Sequence, residues 1–291
     1  MRLLSCRKEI LRLLYTGAEQ NKIYSGRNAS EAERAVLYEC GEILRCRTGL
    51  DRAGVLLNGE MEIENALADR MLTDAAARAA GEPLAYVLGY APFCGEDYIV
   101  KPGCLIPRAD TEVLVEEAVR LLPANGCFWD LCTGSGCVAA AILKQRPDTS
   151  CIAVEISPVA AEVAAKNFDR LGVSGSVTLI LGDALTAPVP EGAKADYIVS
   201  NPPYIPTETI RTLDAEVRRE PKEALDGGAD GMNFYRKFLR VYAERVREGF
   251  LFEIGWDQGG ALLALAKAYC LKGGIRRDYG GRDRVVWLRK S

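Results

Sequence analysis

From Cys127 onward, short runs of β-branched and aromatic residues alternate with helical stretches, and no other feature limits the fold so strongly. The runs are CFWDL, CIAVEI, SVTLIL, DYIVS, GFLFEIG and RVVWLRK. Residues 136–144, 158–171, 232–247 and 258–271 read as the helices between them. Val, Ile, Tyr and Trp favour a pleated strand. Strands joined by helices build a mostly parallel, doubly wound α/β sheet. The closing strand follows a Gly-Gly turn at 280–281.

The first part of the chain has a different character. Residues 5–80 read as helical, with Ile10, Leu11 and Leu14 on one face. Ser30 and Glu33 have the spacing of a capping box, opening a helix through Val36, Leu37, Ile43 and Leu44. Residues 61–80 form an Ala-rich helix ended by Gly81 and Pro83. Residues 1–82 are thus expected to be a small helical bundle, a domain that is structural or docks the substrate. Residues 83–107 are expected to be a β-hairpin linker, LAYVLGYAPF and YIVKPG flanking a Cys-Gly-Glu-Asp turn. Residues 108–291 then make the larger domain. Asp110 or Thr111 is placed to cap the helix TEVLVEEAVRLL, and Arg108, Asp110 and Glu112 to tie the hairpin to it.

Composition narrows the chemistry. At 291 residues the chain suits two domains, and a net charge of -3 disfavours a protein that wraps duplex nucleic acid. The ten cysteines contain no CxxC pair and read as reduced, cytosolic thiols. The N-terminal run MRLLSCRKEILRLL carries charges among its apolar residues, so neither a signal peptide nor a membrane span is expected. The chain has no histidine, which removes histidine general bases and histidine-ligated metal sites.

Four stretches carry candidate chemistry. Asn201-Pro202-Pro203-Tyr204 directly follows DYIVS. Proline offers no ladder donor and ends the strand, and it pushes Asn201 out of the helical region. An extended asparagine at a strand's carboxyl end, beside the Pro202 carbonyl, can accept both N–H bonds of a flat amino group, and Tyr204 offers a face for a planar group. Asp130-Leu131-Cys132-Thr133-Gly134-Ser135-Gly136 leaves a strand and opens a helix, a backbone suited to close approach of a ligand. Its glycine spacing also fits a dinucleotide loop, and Glu155 stands at the next strand end, where a ribose diol is held in either case. Asp130 can face an ammonium group, which NAD lacks. Asp183 and the Ala184 amide can read an adenine edge. Together these favour S-adenosylmethionine.

This constellation resembles the class I S-adenosylmethionine-dependent methyltransferases, with NPPY marking those that act on planar nitrogen. The ordered set EPLAYVLG, LIPRADTE, DLCTGSG, AVEIS, VSNPPYI, Glu220-Pro221 with ALDGG, FEIG, and Gly281-Arg282 with Arg284-Val285-Val286 is similar to the release-factor glutamine N5-methyltransferase (HemK/PrmC) family from about residue 82 onward. The resemblance implies a Rossmann-like sheet with an antiparallel last strand. It also implies methyl transfer from S-adenosylmethionine to the glutamine of a GGQ loop in class I peptide chain release factors, by a cytoplasmic monomer needing no metal, membrane or direct nucleic-acid contact. By position it assigns Asp130, Leu131, Cys132, Thr133, Gly134 and Gly136 to the methionine side. Glu155 goes to the ribose and Asp183 and Ala184 to adenine; Asn201 lies between cofactor and substrate and binds both, Asn201, Pro202 and Tyr204 go to catalysis, and Asn201, Pro202, Pro203 and Tyr204 to the substrate glutamine. Cys132 stands where many such enzymes have glycine, implying an ordinary backbone conformation there, and Glu155 where aspartate is commoner.

Competing readings are an N5-glutamine methyltransferase acting on a ribosomal protein, a nucleic-acid amino methyltransferase, a NAD-binding oxidoreductase and a non-catalytic nucleoside-binding module. The basic residues Arg276, Arg277, Arg282 and Arg284 read as a solvated face.

Overall fold

A computed structural model describes residues 1–21, 23, 24, 28–186 and 188–290. The chain forms two units: Met1–Gly89 with Asp214–Arg219, and Tyr90–Leu213 with Glu220–Ser291.

The first unit contains helices α1 (Leu3–Asn21), α2 (Ala29–Thr48), α3 (Arg52–Leu57), α4 (Asn65–Ala79) and α5 (Leu84–Leu88). Ile10, Leu14, Ile43, Leu44, Ala68 and Met71 are buried at helical spacing, the pattern of amphipathic helices sharing one core. The capping box lies two residues earlier than expected. The Asn28 side chain accepts from the Glu31 amide at 3.0 Å, and the Glu31 carboxylate accepts from the Asn28 amide at 3.1 Å. Both pairs fit the i, i+3 pattern, and the earlier one satisfies it. The helix expected from residue 61 starts at Asn65 because the preceding residues pair with the chain start: Leu3 donates to the Met61 carbonyl and Ile63 to that of Met1.

LAYVL is helix α5, not a hairpin strand. Five apolar residues carry no decisive period. Here Pro83 precedes the helix and Gly89, at φ 85°, closes it in the left-handed region.

The most demanding interaction of this unit is ionic. Arg78 is 1% exposed and pairs with Glu39 through two hydrogen bonds of 2.8 Å. The Tyr24 hydroxyl donates to the same Glu39 carboxylate at 2.5 Å. Glu216, from the downstream segment, accepts from Arg78 at 2.5 Å. A buried ion pair need not add net stability, but removing one partner strands the other charge. Arg78→Ala is therefore expected to cost about 3–5 kcal/mol, read as a lower urea midpoint for the first unit.

The second unit opens with a hairpin, β1 (Tyr90–Phe93) and β2 (Glu96–Ile99). Its turn is only Cys94-Gly95, both at positive φ (48° and 79°), the two-residue geometry that matches strand twist. Glu96 and Asp97, expected in the turn, belong to the strand. The main sheet contains β3 (Cys127–Leu131), β4 (Ser150–Glu155), β5 (Val177–Leu181), β6 (Ala195–Ser200), β7 (Val246–Glu253), β8 (Leu271–Arg277) and β9 (Asp283–Lys290), in the order β5-β4-β3-β6-β7-β9-β8. Only β9 runs against its neighbours.

Helices α6 (Glu112–Leu121), α7 (Cys137–Gln145) and α8 (Pro158–Arg170) contribute to one core, with Phe128, Tyr197 and Val285. Helices α9 (Asn233–Tyr242) and α10 (Gly259–Lys267) contribute to the other, with Trp129, Ile198 and Val286. Adjacent residues on each strand thus enter opposite cores, as the pleat requires. Neither Asp110 nor Thr111 caps α6 with its side chain. A single 3-10 turn, Ala109–Thr111, leads into the helix instead.

Two helices are shorter than the sequence suggests. Helix α9 ends at Tyr242; Ala243–Arg245 is a 3-10 turn and β7 begins at Val246. Beyond α10 lies β8, whose sequence LKGGIRR has little strand character. Its glycines let the strand lie close to β9, with the Trp287 ring against Gly274.

Candidate active site

Strand order reverses at β3, which lies between β4 and β6 and is parallel to both. In open α/β sheets, ligands bind at the carboxyl ends of the strands beside such a switch point. The segments leaving β3, β4, β5 and β6 carry the candidate residues and line a crevice of about 200 Å³, with Gly134, Glu155, Asp183 and Asn201 on its walls. A smaller cavity of about 30 Å³ has Asp130, Thr133 and Thr111 on its walls, and Asn201 borders both.

The loop after β3 is wound through left-handed residues. Cys132, Gly134 and Gly136 have φ of 62°, 57° and 78°. The ordinary conformation expected at Cys132 is therefore not found. A non-glycine residue in this region costs on the order of 1–2 kcal/mol. The two glycines serve different ends. A Cβ at Gly134 would meet nothing within 4 Å, so this backbone faces open space. A Cβ at Gly136 would lie 2.7 Å from the Phe168 ring and 3.2 Å from Ala164 Cβ. Gly136 thus permits close approach of α7 and α8 and does not line the crevice. Leu131 is likewise wholly buried in a core.

Glu155 and Asp183 line the crevice, and Asp130 lines the smaller cavity beside it. Asp130 is 1% exposed and accepts from the Thr133 hydroxyl at 2.5 Å. Burial pushes its pKa up to about 7, against the lowering influence of Thr133 and the Ala139 amide. Glu155 accepts from the Gly134 amide at 2.8 Å and the Ser157 amide at 2.9 Å, while its burial raises its pKa. Asp183 accepts from the Leu185 amide at 2.8 Å. Leu105, Ile156, Leu185 and Phe234 supply apolar walls; Leu105 and Ile156 lie within the motifs LIPRADTE and AVEIS but were not singled out, and Leu185 and Phe234 lie in no motif.

Asn201 donates through Nδ2 to Thr111 Oγ1 at 3.3 Å. Pro203 lines the crevice, whereas Pro202 is buried and lines neither cavity. Tyr204 packs against a core and donates to Glu253 Oε1 at 3.3 Å, so its ring is not a wall of either cavity. Glu220 precedes Pro221, Glu223 and Ala224, which line the crevice. It is 5% exposed, accepts from the Ile106 amide at 3.0 Å and pairs with Arg108. Glu112 accepts from the Cys94 amide at 2.7 Å, tying hairpin to helix. Arg284 is buried, pairing with Asp278 and Asp110, and so departs from the solvated face expected of the basic end.

The doubly wound sheet with its reversed last strand, and the carboxylate-rimmed crevice at its switch point, are those of a Rossmann-like class I methyltransferase. Residues 109–229 match the family described as Methyltransferase small domain, and residues 31–89 match the PrmC N-terminal domain. A release factor glutamine methyltransferase of Geobacter sulfurreducens is 42% identical over 251 residues, covering 84% of this chain and 86% of that protein. One from Moorella thermoacetica is 43% identical over 255 residues (84% and 88%). One from Bacillus subtilis is 34% identical over 275 residues (90% and 91%). The chain belongs to the release factor glutamine methyltransferase family.

The glycine geometry gives a paired prediction. Gly136→Ala is expected to destabilise the second unit by about 2–4 kcal/mol, through overpacking and backbone strain. Gly134→Ala is expected to cost only about 1–2 kcal/mol, from strain alone. Urea unfolding of the two variants checks the difference.

Proposed function

We propose that this protein transfers a methyl group from S-adenosylmethionine to the side-chain N5 of the glutamine in the GGQ motif of class I release factors, acting in the cytosol as a monomer. The observation that carries the reading is Asn201. It stands at the carboxyl end of β6, on the wall between the two cavities, with its Nδ2 held by Thr111. That leaves Oδ1 to accept from a substrate amide.

The donor set fits the cofactor. Asp130, Glu155 and Asp183 are acceptors for an ammonium, a diol and an adenine amino group, and Gly134 leaves room for close approach. The cofactor supplies an electrophilic sulfonium methyl. The chain's own residues bind and orient. An amide nitrogen is a poor nucleophile because its lone pair is delocalised. Asn201 Oδ1 accepts one of its N–H bonds, holds it in line and stabilises positive charge as it pyramidalises; the Pro202 carbonyl, expected as the second acceptor, belongs to a residue that lines neither cavity. The N-methylated cation is acidic and loses its proton afterwards, so no strong base is required, in keeping with a chain that has no histidine.

In this reading the first unit docks the release factor. Tyr38, Leu56 and Leu57 are exposed on it, and Arg34 and Arg52 border the same groove as Tyr38 and Leu56. That mixture suits a protein surface with acidic and apolar groups. No helix among the described residues is long and apolar enough to cross a membrane.

Two tests follow. Asn201→Ala is expected to lower kcat on purified release factor by about 100-fold or more, with S-adenosylmethionine binding retained in equilibrium dialysis. Full activity in that variant would refute the mechanism. Asp130 predicts a pH-dependent affinity. With its carboxyl raised to about 7 in the ligand-free protein, an ammonium ligand favours the ionised form and releases a proton. Affinity is therefore expected to strengthen from about pH 5 to about pH 7. Calorimetry in buffers of different ionisation enthalpy measures this, and Asp130→Asn is expected to weaken binding and flatten the dependence.

A further inference from the structure

We propose that Gln258 is a positioning residue: its carboxamide clamps the backbone of Tyr204 and so fixes the direction in which Asn201 presents its own amide. This rests on the reading of Asn201 as the group that grips the substrate amide. Gln258 lies just before α10 and belongs to none of the sequence motifs.

The stiffness of the tetrapeptide is what makes a distant clamp effective. Pro202 and Pro203 each have φ locked by the ring. Asn201 and Pro202 each precede a proline, which confines their ψ to the extended region. Few soft torsions remain between Asn201 and Tyr204, so the ledge behaves as a short rod. A rod held at one end can swing, and a rod held at both ends has one direction. The near end is set by β6, whose last residue, Ser200, pairs with Phe252 and donates from Oγ to the Leu131 carbonyl. The hydrogen bond from Asn201 Nδ2 to Thr111 is long, 3.3 Å. The aim of the amide therefore depends on the backbone more than on that contact.

Gln258 holds the far end. Its Nε2 donates to the Tyr204 carbonyl at 2.8 Å and to the Gly231 carbonyl at 3.3 Å. Its Oε1 accepts from the Gly255 amide at 2.9 Å, while its backbone amide donates to the Gly255 carbonyl at 3.0 Å. These partners allow the side chain one orientation, because an N–H faces its oxygen and two carbonyls face its amino group. Gln258 is 7% exposed, so water is poorly placed to replace it. The glycine-rich loop is shaped around the same contact. A Cβ at Gly231 would collide with both the Tyr204 carbonyl oxygen and Gln258 Nε2. One at Gly227 would lie 2.7 Å from Tyr204 Cα and 2.8 Å from the Pro203 oxygen. Beyond the ledge, Ile205 donates to the Leu225 carbonyl at 3.0 Å and Gly227 to that of Ile205 at 2.9 Å. The glycine-rich loop and the turn after β7 thus both meet the residue that closes the ledge, and Gln258 bonds to all three segments.

The test compares wild type, Gln258→Met, Gly231→Ala, Asn201→Ala and the Gln258→Met, Asn201→Ala double variant on purified release factor at saturating S-adenosylmethionine. Rates are expressed per cofactor-binding site, titrated by equilibrium dialysis, so that misfolded chains are not counted. Gln258→Met keeps the length and loses every hydrogen bond of the clamp. Its kcat is expected to fall about 10- to 100-fold, the scale of a small misplacement at the reacting atoms, with the cofactor Kd near wild type. Gly231→Ala disturbs the same contact from the other side and is expected to show the same split, which carries the test should the methionine variant not fold. In the Asn201→Ala background, Gln258→Met is expected to add little, because no amide is left to aim. The proposal is overturned if Asn201→Ala is impaired while Gln258→Met keeps wild-type kcat. It is also overturned if the Gln258→Met loss appears equally in cofactor affinity, or if the two losses multiply in the double variant, as a merely structural role requires. An active Asn201→Ala strikes the underlying reading instead.

Discussion

A residue that cannot donate a backbone hydrogen bond ends β6 beside the place where strand order reverses, and the crevice is arranged around that stop. Pro202 frees Asn201 from the ladder while the sheet keeps its backbone fixed. The strands on either side deliver the loop after β3 and the carboxylates after β4 and β5 to the same edge. Because neighbouring strands are parallel, every one of these segments leaves the sheet in the same direction. The site is a product of topology before it is a product of any single side chain.

Acidic groups buried at that edge come at a cost in stability. Asp130 and Glu253 are nearly inaccessible, and each has its pKa raised to about 7 chiefly by burial. A carboxyl raised on folding binds more protons in the native than in the unfolded chain, so its contribution to stability declines as pH climbs from the unfolded value toward the folded one. The protein therefore keeps at its switch point groups that favour folding less at neutrality than in mild acid. Nearby groups offset part of that loss, the Thr133 hydroxyl for Asp130 and the Arg284 charge with the Tyr204 hydroxyl for Glu253.

Much of this architecture was legible in the sequence. The apolar runs at β3, β4, β6 and β9 had enough β-branched and aromatic character to read as strands, and the motif residues Gly134, Glu155, Asp183 and Asn201 do meet around one crevice. The misreadings have local physical causes. LAYVL is short enough for its flanking proline and glycine to decide its conformation. LKGGIRR is a strand held by its partner, not by propensity. Cys132 adopts a left-handed conformation that its side chain alone would argue against. Thr111 gave no signal, since a threonine just before a helix reads as a cap. Its hydroxyl became informative only once folding set it beside Asn201.

The small downstream segment of the first unit has a consequence for how the molecule can be made and divided. Glu216 reaches Arg78 from 138 residues away in sequence, and Asp214–Arg219 clusters with the N-terminal helices. A fragment stopped at Gly89 would leave that guanidinium one carboxylate short. On a ribosome, the N-terminal helices emerge first yet must wait for residue 219 before their last tie can close. Assembly order and gene order are thus decoupled, and any attempt to express the helical module by itself has to carry this distant strap with it.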